Sequence, residues 1–189
     1  MLAYVFCHWH VPDIEAATYQ HDLIAYHRTL AMHKPSGFHH TRVLQTEQAS
    51  WLQRNEVTYE DWHLVENSAA LDLLNERAVS GPCQEPHRQI ARWTQGSAGG
   101  LYQLVWGNPD LSIVRFAYRF DKPVGMTYGT FYEILQPLSQ EVKGMLWGRQ
   151  MNLGPGPEFC IQTSEPFIFP ETLPMLSIPV KQICFTIDR

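Results

Sequence analysis

A chain of 189 residues, 44% hydrophobic and 17% charged, can form one sizeable domain or two small ones and is too apolar for wholesale disorder. Its formal charge of -5, with Lys and Arg scattered and never in a run, excludes a general binder of nucleic-acid backbone. No stretch of about 18 apolar residues occurs, so no membrane helix is expected.

The opening MLAYVFCHWH lacks the basic start, long apolar run and small-residue cleavage site of an export signal. Cys7, Cys83, Cys160 and Cys184 are far apart and include no C-x-x-C pair. Three of them sit in strand-like stretches, where a free thiol acts as a small hydrophobe, and this pattern fits the reducing cytoplasm.

Residues 2–11 read as a strand with Val5, Cys7, Trp9 and Val11 on one face and Tyr4, Phe6, His8 and His10 on the other. Pro12-Asp13 then starts a helix with Asp13 as its cap. Tyr19, Leu23, Tyr26 and Leu30 form its apolar stripe, and His27 lies at the edge. Strands follow at 38–45 and 57–65, the second rich in aromatic and β-branched residues. Asn67 or Ser68 caps the helix AALDLLNERAV, a short helix covers roughly 86–95, and Gly-Ser-Ala-Gly-Gly leads to a strand at 101–106.

The second half repeats the order. A strand at 112–120 precedes a helix over 127–144 that Pro137 must kink or interrupt. Strands at 145–153 and 158–164 are joined by Gly-Pro-Gly-Pro, the Pro-rich segment at 166–174 leaves a short helix or none, and 180–187 closes as a strand. The expected fold is α+β: tandem ferredoxin-like units with antiparallel sheets, over residues 1–107 and 108–189, packed as one body.

YEDWHLVENSAALDLL (59–74) resembles the strand-then-helix segment of the dimeric α/β-barrel superfamily, in particular the antibiotic-biosynthesis-monooxygenase-like proteins. Glu60 and Trp62 take the places of that strand's Glu and aromatic, and Ala69, Ala70 and Leu71 open the Ala-Leu-rich helix. EPHRQIARW (85–93), with Pro86 and His87, resembles the later helix of such domains. The resemblance covers the first ~100 residues and implies facing sheets with helices outside, built from a homodimer or, in a tandem chain, from one chain alone. The superfamily includes cofactor-free monooxygenases, isomerases, haem-binding proteins and domains without known activity, so fold does not fix function.

The apolar odd face of the first strand suits packing under helices, which turns His8 and His10 toward the opposite sheet and an intersheet cavity. His63 and Arg42 on adjoining strands are the expected partners there, because buried imidazoles need hydrogen bonds. A metal site needs a third ligand, for which His40 and His63 are available, but no H-E-x-x-H or Cys pair supports it. No metal and no cofactor are therefore assigned. In the second half Arg115 or Arg119 pairs with Glu158 at a sheet surface, or Arg115 and Gln162 line the pocket and favour an anionic or carbonyl-bearing ligand. The candidate ligand-binding set is His8, His10, Arg42, His63, Arg115 and Gln162. G-x-S-x-G, P-loop and G-x-G-x-x-G motifs are absent. Three readings stand: a protein that binds or transforms a small organic molecule, cofactor-free monooxygenase-like at most; a noncatalytic structural or interaction domain; and a metal- or haem-binding protein using strand histidines. Nucleic acid and membrane are not expected partners.

Overall fold

The β-branched and aromatic stretches of the sequence form strands that join in one antiparallel sheet in a computed structural model, which describes residues 1–47, 49–52, 56–169 and 176–186. The elements are β1 (Leu2–His10), α1 (Ala16–Met32), β2 (Phe38–Thr46), β3 (Thr58–Val65), α2 (Ser68–Ala78), α3 (Gln84–Ala91) and β4 (Thr94–Gly107), then β5 (Phe116–Phe120), α4 (Tyr128–Glu141), β6 (Gly144–Leu153), β7 (Phe159–Thr163), β8 (Leu176–Pro179) and β9 (Lys181–Thr186). The sheet order is β8-β5-β7-β6-β4-β1-β3-β2-β9. The blocks β4-β1-β3-β2 and β8-β5-β7-β6 share one ferredoxin-like order and join through β4 and β6. β8 and β9 are separated by Val180 alone yet pair with β5 and β2, so the C-terminal segment links the two ends of the curled sheet.

Several boundaries differ from the sequence reading. Gly-Ser-Ala-Gly-Gly is strand, because β4 begins at Thr94 and runs beside β1. Its register shifts between Cys7 and Trp9, where Gly96 takes φ +63° and a Cβ would strike the Trp9 ring. α1 starts at Ala16 behind Glu15, with Asp13 left in the preceding turn. α4 continues through Pro137, capped by Thr127. Residues 111–113 form a short 3-10 turn, so β5 starts only at Phe116. Asn67 caps α2, its side chain accepting from the Ala70 amide. Much of the 166–174 segment lies outside the described residues.

The assignment of faces is the main correction. The odd face of β1 does not pack under helices. Ala3, Val5 and Cys7 point into the curl with Trp62, and meet Ala117, Met145, Trp147 and Cys160 from the second half. The Trp62 and Trp147 rings lie 5.7 Å apart. Tyr19, Leu23 and Leu30 of α1 instead cover Tyr59 and Val43 on the other face. The inside of the curl is walled by sheet on both sides and takes the apolar face of β1. The helix-covered face can carry polar groups, since α1 supplies hydroxyl and imidazole partners for them.

A buried ion pair lies inside the curl. Arg119 Nη2 donates to Glu60 Oε2 at 2.5 Å, and Trp62 Nε1 donates to the same oxygen at 2.9 Å. The Arg119 guanidinium also lies 5.0 Å from the Trp51 ring. The Glu-x-Trp pair at 60 and 62 thus ties β3 to β5 across the curl.

Candidate functional site in a cavity under the helices

β1 and β3 pair antiparallel with Tyr4 opposite His63, Phe6 opposite Asp61 and His8 opposite Tyr59. That register lines up the side chains of one sheet face beneath α1, α2 and α3. Leu23, Tyr26, Leu74 and Ile90 from those helices roof a cavity of about 590 Å³ floored by Phe6, His8, Asp61 and His63. The volume falls within the range of small-molecule sites. Among the described residues, no Lys or Arg lines it.

A chain of polar contacts runs under the floor. Thr94 Oγ1 donates to the Ile90 carbonyl at 3.0 Å and lies 3.0 Å from the Tyr19 hydroxyl, which is 2.6 Å from His8 Nδ1. His8 Nε2 and His27 Nε2 lie 3.1 and 3.3 Å from the same oxygen, Oδ2 of Asp61. These are ion-pair distances without hydrogen-bond alignment; both Nε2 atoms and Asp61 Oδ1 lack an aligned partner among the described residues. His27 Nδ1 lies 2.9 Å from Thr41 Oγ1, which lies 3.0 Å from His63 Nδ1. His27, Asp61 and His63 also bring one potential ligand atom each to within 4.8 Å of one another.

Burial alone would raise the Asp61 carboxyl, but His8 and His27 beside it hold it well below the usual carboxylate range. Burial, followed by the neighbouring His27, pushes the His63 imidazole down to about 3, so it is neutral at ordinary pH. Burial likewise lifts the Tyr26 phenol, which stays protonated. The floor therefore combines one fixed anion with the neutral imidazole of His63.

Of the six residues singled out from sequence, the fold brings His8 and His63 to the cavity. His10 stays outside it: its ring packs against Tyr19, and its Nδ1 lies 2.8 Å from the Val11 carbonyl. Arg42 points into the curl, donating to the Val114 carbonyl at 3.0 Å and to Gln182 Oε1 at 2.8 Å. Burial, then Arg115 nearby, brings Arg42 down to about 9. Arg115 reaches the Val114 carbonyl, and Gln162 accepts from Trp147 Nε1 inside the curl. The expected pairing of Arg115 or Arg119 with Glu158 does not form. Glu158 accepts from the Tyr128 hydroxyl and the Lys122 amide, because Arg119 is turned inward to Glu60. Trp62, Trp147 and Met145 pack between the half-sheets, and the cavity described above lies on the other face, under the helices.

Sequence reasoning missed Asp61, His27, Thr41 and Tyr19. Asp61 had a signal, as a carboxylate inside a strand buried at every position. His27, four residues after Leu23, belongs to the buried stripe of α1 and is fully enclosed. Thr41 is found only through the β2–β3 register that sets it opposite His63.

No protein-family model matches the sequence, and no curated protein matches it. Solved structures similar in fold include the following three. A candidate monooxygenase of Fusobacterium nucleatum superposes with a TM-score of 0.65 at 10% identity, over 98% of this chain and 94% of the other. An anthrone oxidase-like protein gives 0.60 at 9% identity, over 98% and 92%. A candidate chlorite dismutase gives 0.50 at 10% identity, over 97% and 96%. At these identities the likeness concerns architecture. Among the described residues no helix is long and apolar enough to cross a membrane. The single chain thus has the α+β fold of the dimeric α/β-barrel proteins, as the Glu60-x-Trp62 segment led one to expect.

Proposed function

We propose that the cavity binds a neutral, largely aromatic small molecule and oxidises it with dioxygen, without help from a cofactor. The observation that carries this reading is the His8–Asp61–His63 floor under an apolar roof. With Asp61 ionised and no Lys or Arg lining the cavity among the described residues, a carboxylate or phosphate is disfavoured. A ketone with an acidic methylene between aromatic rings, or a phenol, suits it better. The floor accepts a proton from the methylene. The carbanion passes one electron to dioxygen, and the two radicals join as a hydroperoxide. Loss of the second C–H proton with cleavage of the O–O bond gives a ketone and water. The balance is CH2 + O2 → C=O + H2O, with all four electrons drawn from the substrate carbon. The overlap in fold with an anthrone oxidase-like protein and a candidate monooxygenase supports this choice of chemistry. Three buried free thiols, Cys7, Cys83 and Cys160, support a cytoplasmic location.

Anthrone is the probe. We expect the protein to consume dioxygen and form ketone one to one, with one atom of labelled dioxygen entering the product. Ala78→Phe, which fills the cavity beneath α2, should weaken binding of 2-naphthol at least about tenfold, while His8→Asn lowers turnover more than binding. Calorimetry that finds neither 2-naphthol nor anthrone bound by the unaltered protein would sink the reading.

A further inference from the structure

The proposed reaction builds an anion in a cavity that already holds one. Asp61 is ionised on the floor, and among the described residues no Lys or Arg lines the space. A carbanion confined to the methylene would lie beside that carboxylate at low dielectric, where like charges repel strongly. Its charge leaves the carbon by moving onto the ketone oxygen, and that oxygen then needs a hydrogen-bond donor. Most polar groups of the cavity are unsuited to this. Thr94 gives its hydrogen to the Ile90 carbonyl, and His8 has Tyr19 at one nitrogen and Asp61 at the other. Asn75 is exposed, and half-buried Tyr4 lies on the floor with its ring stacked on His63 at 6.2 Å. Tyr26 stands apart. A buried tyrosine hydroxyl ordinarily has a partner, as those of Tyr19, Tyr59, Tyr102 and Tyr118 do. Tyr26 is 7% exposed and lines the cavity from α1, yet among the described residues its hydroxyl has no hydrogen-bond partner. Its ring is held edge-on to His27 at 5.3 Å and to His87 at 5.6 Å. Burial, then the charge of Asp61, raises the phenol, so it keeps its hydrogen and can donate it.

We propose that the Tyr26 hydroxyl donates to the ketone oxygen of the substrate from the roof while the floor takes the methylene proton, a role that rests on the oxidation proposed above. Sheet and helices wall the cavity from opposite sides, and each reads a different part of the ligand. A substrate that meets both carries its acidic carbon and its carbonyl at opposite ends of a ring, as anthrone does. Ketones whose acidic C–H is next to the carbonyl fit this division less well. As the C–H bond breaks, its electron pair moves through the ring and C=O becomes C–O⁻, with the Tyr26 O–H donating to it. The proton goes to the floor, and no electron leaves the substrate until dioxygen takes the first. The C=O bond re-forms when the carbon radical joins superoxide. Tyr26 exchanges no proton in this step. A fixed donor in a place that excludes water stabilises the oxygen most once it has become an anion, so the hydroxyl acts on the rate more than on binding.

The test uses the full chain and two probes bound under nitrogen. Xanthone has a ring oxygen in place of the anthrone methylene and keeps the ketone; xanthene lacks the ketone. Infrared spectra of xanthone labelled with 13C at the carbonyl should show its stretch at lower frequency in the unaltered protein than in Tyr26→Phe. Tyr4→Phe should leave that shift in place. By calorimetry Tyr26→Phe should bind xanthone about tenfold more weakly and xanthene less than about twofold more weakly. Its kcat for anthrone should fall about 100-fold, beyond the change in KM. Because the hydroxyl holds nothing in the fold among the described residues, Tyr26→Phe should melt no lower than the unaltered chain, whereas a structural role would lower the melt. A carbonyl stretch unchanged by Tyr26→Phe, a shift lost in Tyr4→Phe instead, or no binding of xanthone by the unaltered protein would each overturn the assignment. If the protein binds xanthone through Tyr26 but does not oxidise anthrone, the proposed reaction fails and the carbonyl site stands.

Discussion

Replacing Glu60 by Gln lowers the free energy of unfolding by about 3–5 kcal/mol, the largest effect expected of any single substitution in this chain. Glu60 and Arg119 are each no more than about 2% exposed, and the carboxylate also holds the Trp62 indole. Taking away the carboxylate charge leaves a guanidinium enclosed among Trp51, Trp62 and the thiols of Cys7 and Cys160, with no counter-ion. Such a charge cannot shed its proton at ordinary pH, so the cost falls on folding. For a chain of this length the melting temperature should drop by about 10 °C. Glu60→Leu combined with Arg119→Met should recover most of the loss, because the pair is then gone rather than broken. The exposed pair Arg88–Glu85 is the contrast: Arg88→Ala should change stability by no more than about 1 kcal/mol. Chemical denaturation of the three variants checks the set. A Glu60→Gln protein as stable as the unaltered one would mean that water reaches Arg119.

Stability should also fall steeply in mild acid because of His63. In the unfolded chain this imidazole takes up a proton below about pH 6.5, whereas the folded protein refuses it until about pH 3. Between those values the unfolded state binds the extra proton, so the free energy of unfolding decreases as pH falls, by about 1.4 kcal/mol per pH unit from this one group. Asp61 adds to the loss further down. Its carboxyl is held low in the folded state, so its contribution is full at neutral pH and fades once the unfolded carboxyl begins to take up protons. Denaturant titrations at a series of pH values should show the slope, and His63→Gln should flatten it between pH 6.5 and 4. A slope unchanged in that variant would show that His63 is solvated in the folded state.

The fold was legible because each half carries strands with period-two patterning separated by one long amphipathic helix, and Glu60-x-Trp62 sits where the resemblance places it. What the pattern did not reveal was which face is inside. Alternation along β1 separates Val5 and Cys7 from Phe6 and His8, but both faces of β1 and β3 are covered, one by sheet and one by helices. When both sides are buried, hydrophobicity no longer says which is which. The candidate site was half legible for the same reason. His8 stood out by its neighbours, and the sheet register brought His63 beside it. Thr41, Asp61 and His27 depend on cross-strand and helix-to-sheet pairing, which single-sequence spacing does not encode. Arg42, Arg115 and Gln162 looked alike as polar residues in apolar strands, yet each serves local hydrogen bonding away from the cavity.

The pairing of β9 with β2 has a consequence for how the chain is made. One side of Thr41–Gln45 pairs early with β3, but the other pairs with Lys181–Thr186, so this outer edge waits until about 140 more residues have left the ribosome. At the usual pace of synthesis that delay amounts to roughly ten seconds or more. Throughout it β2 presents unpaired amides and carbonyls, a template for pairing with another nascent chain. A protein whose last strand arrives so late gains from slow crowding on its message and from chaperones that cover sheet edges. Shortening it by the final strand should therefore show first as aggregation during expression rather than as a loosened cavity.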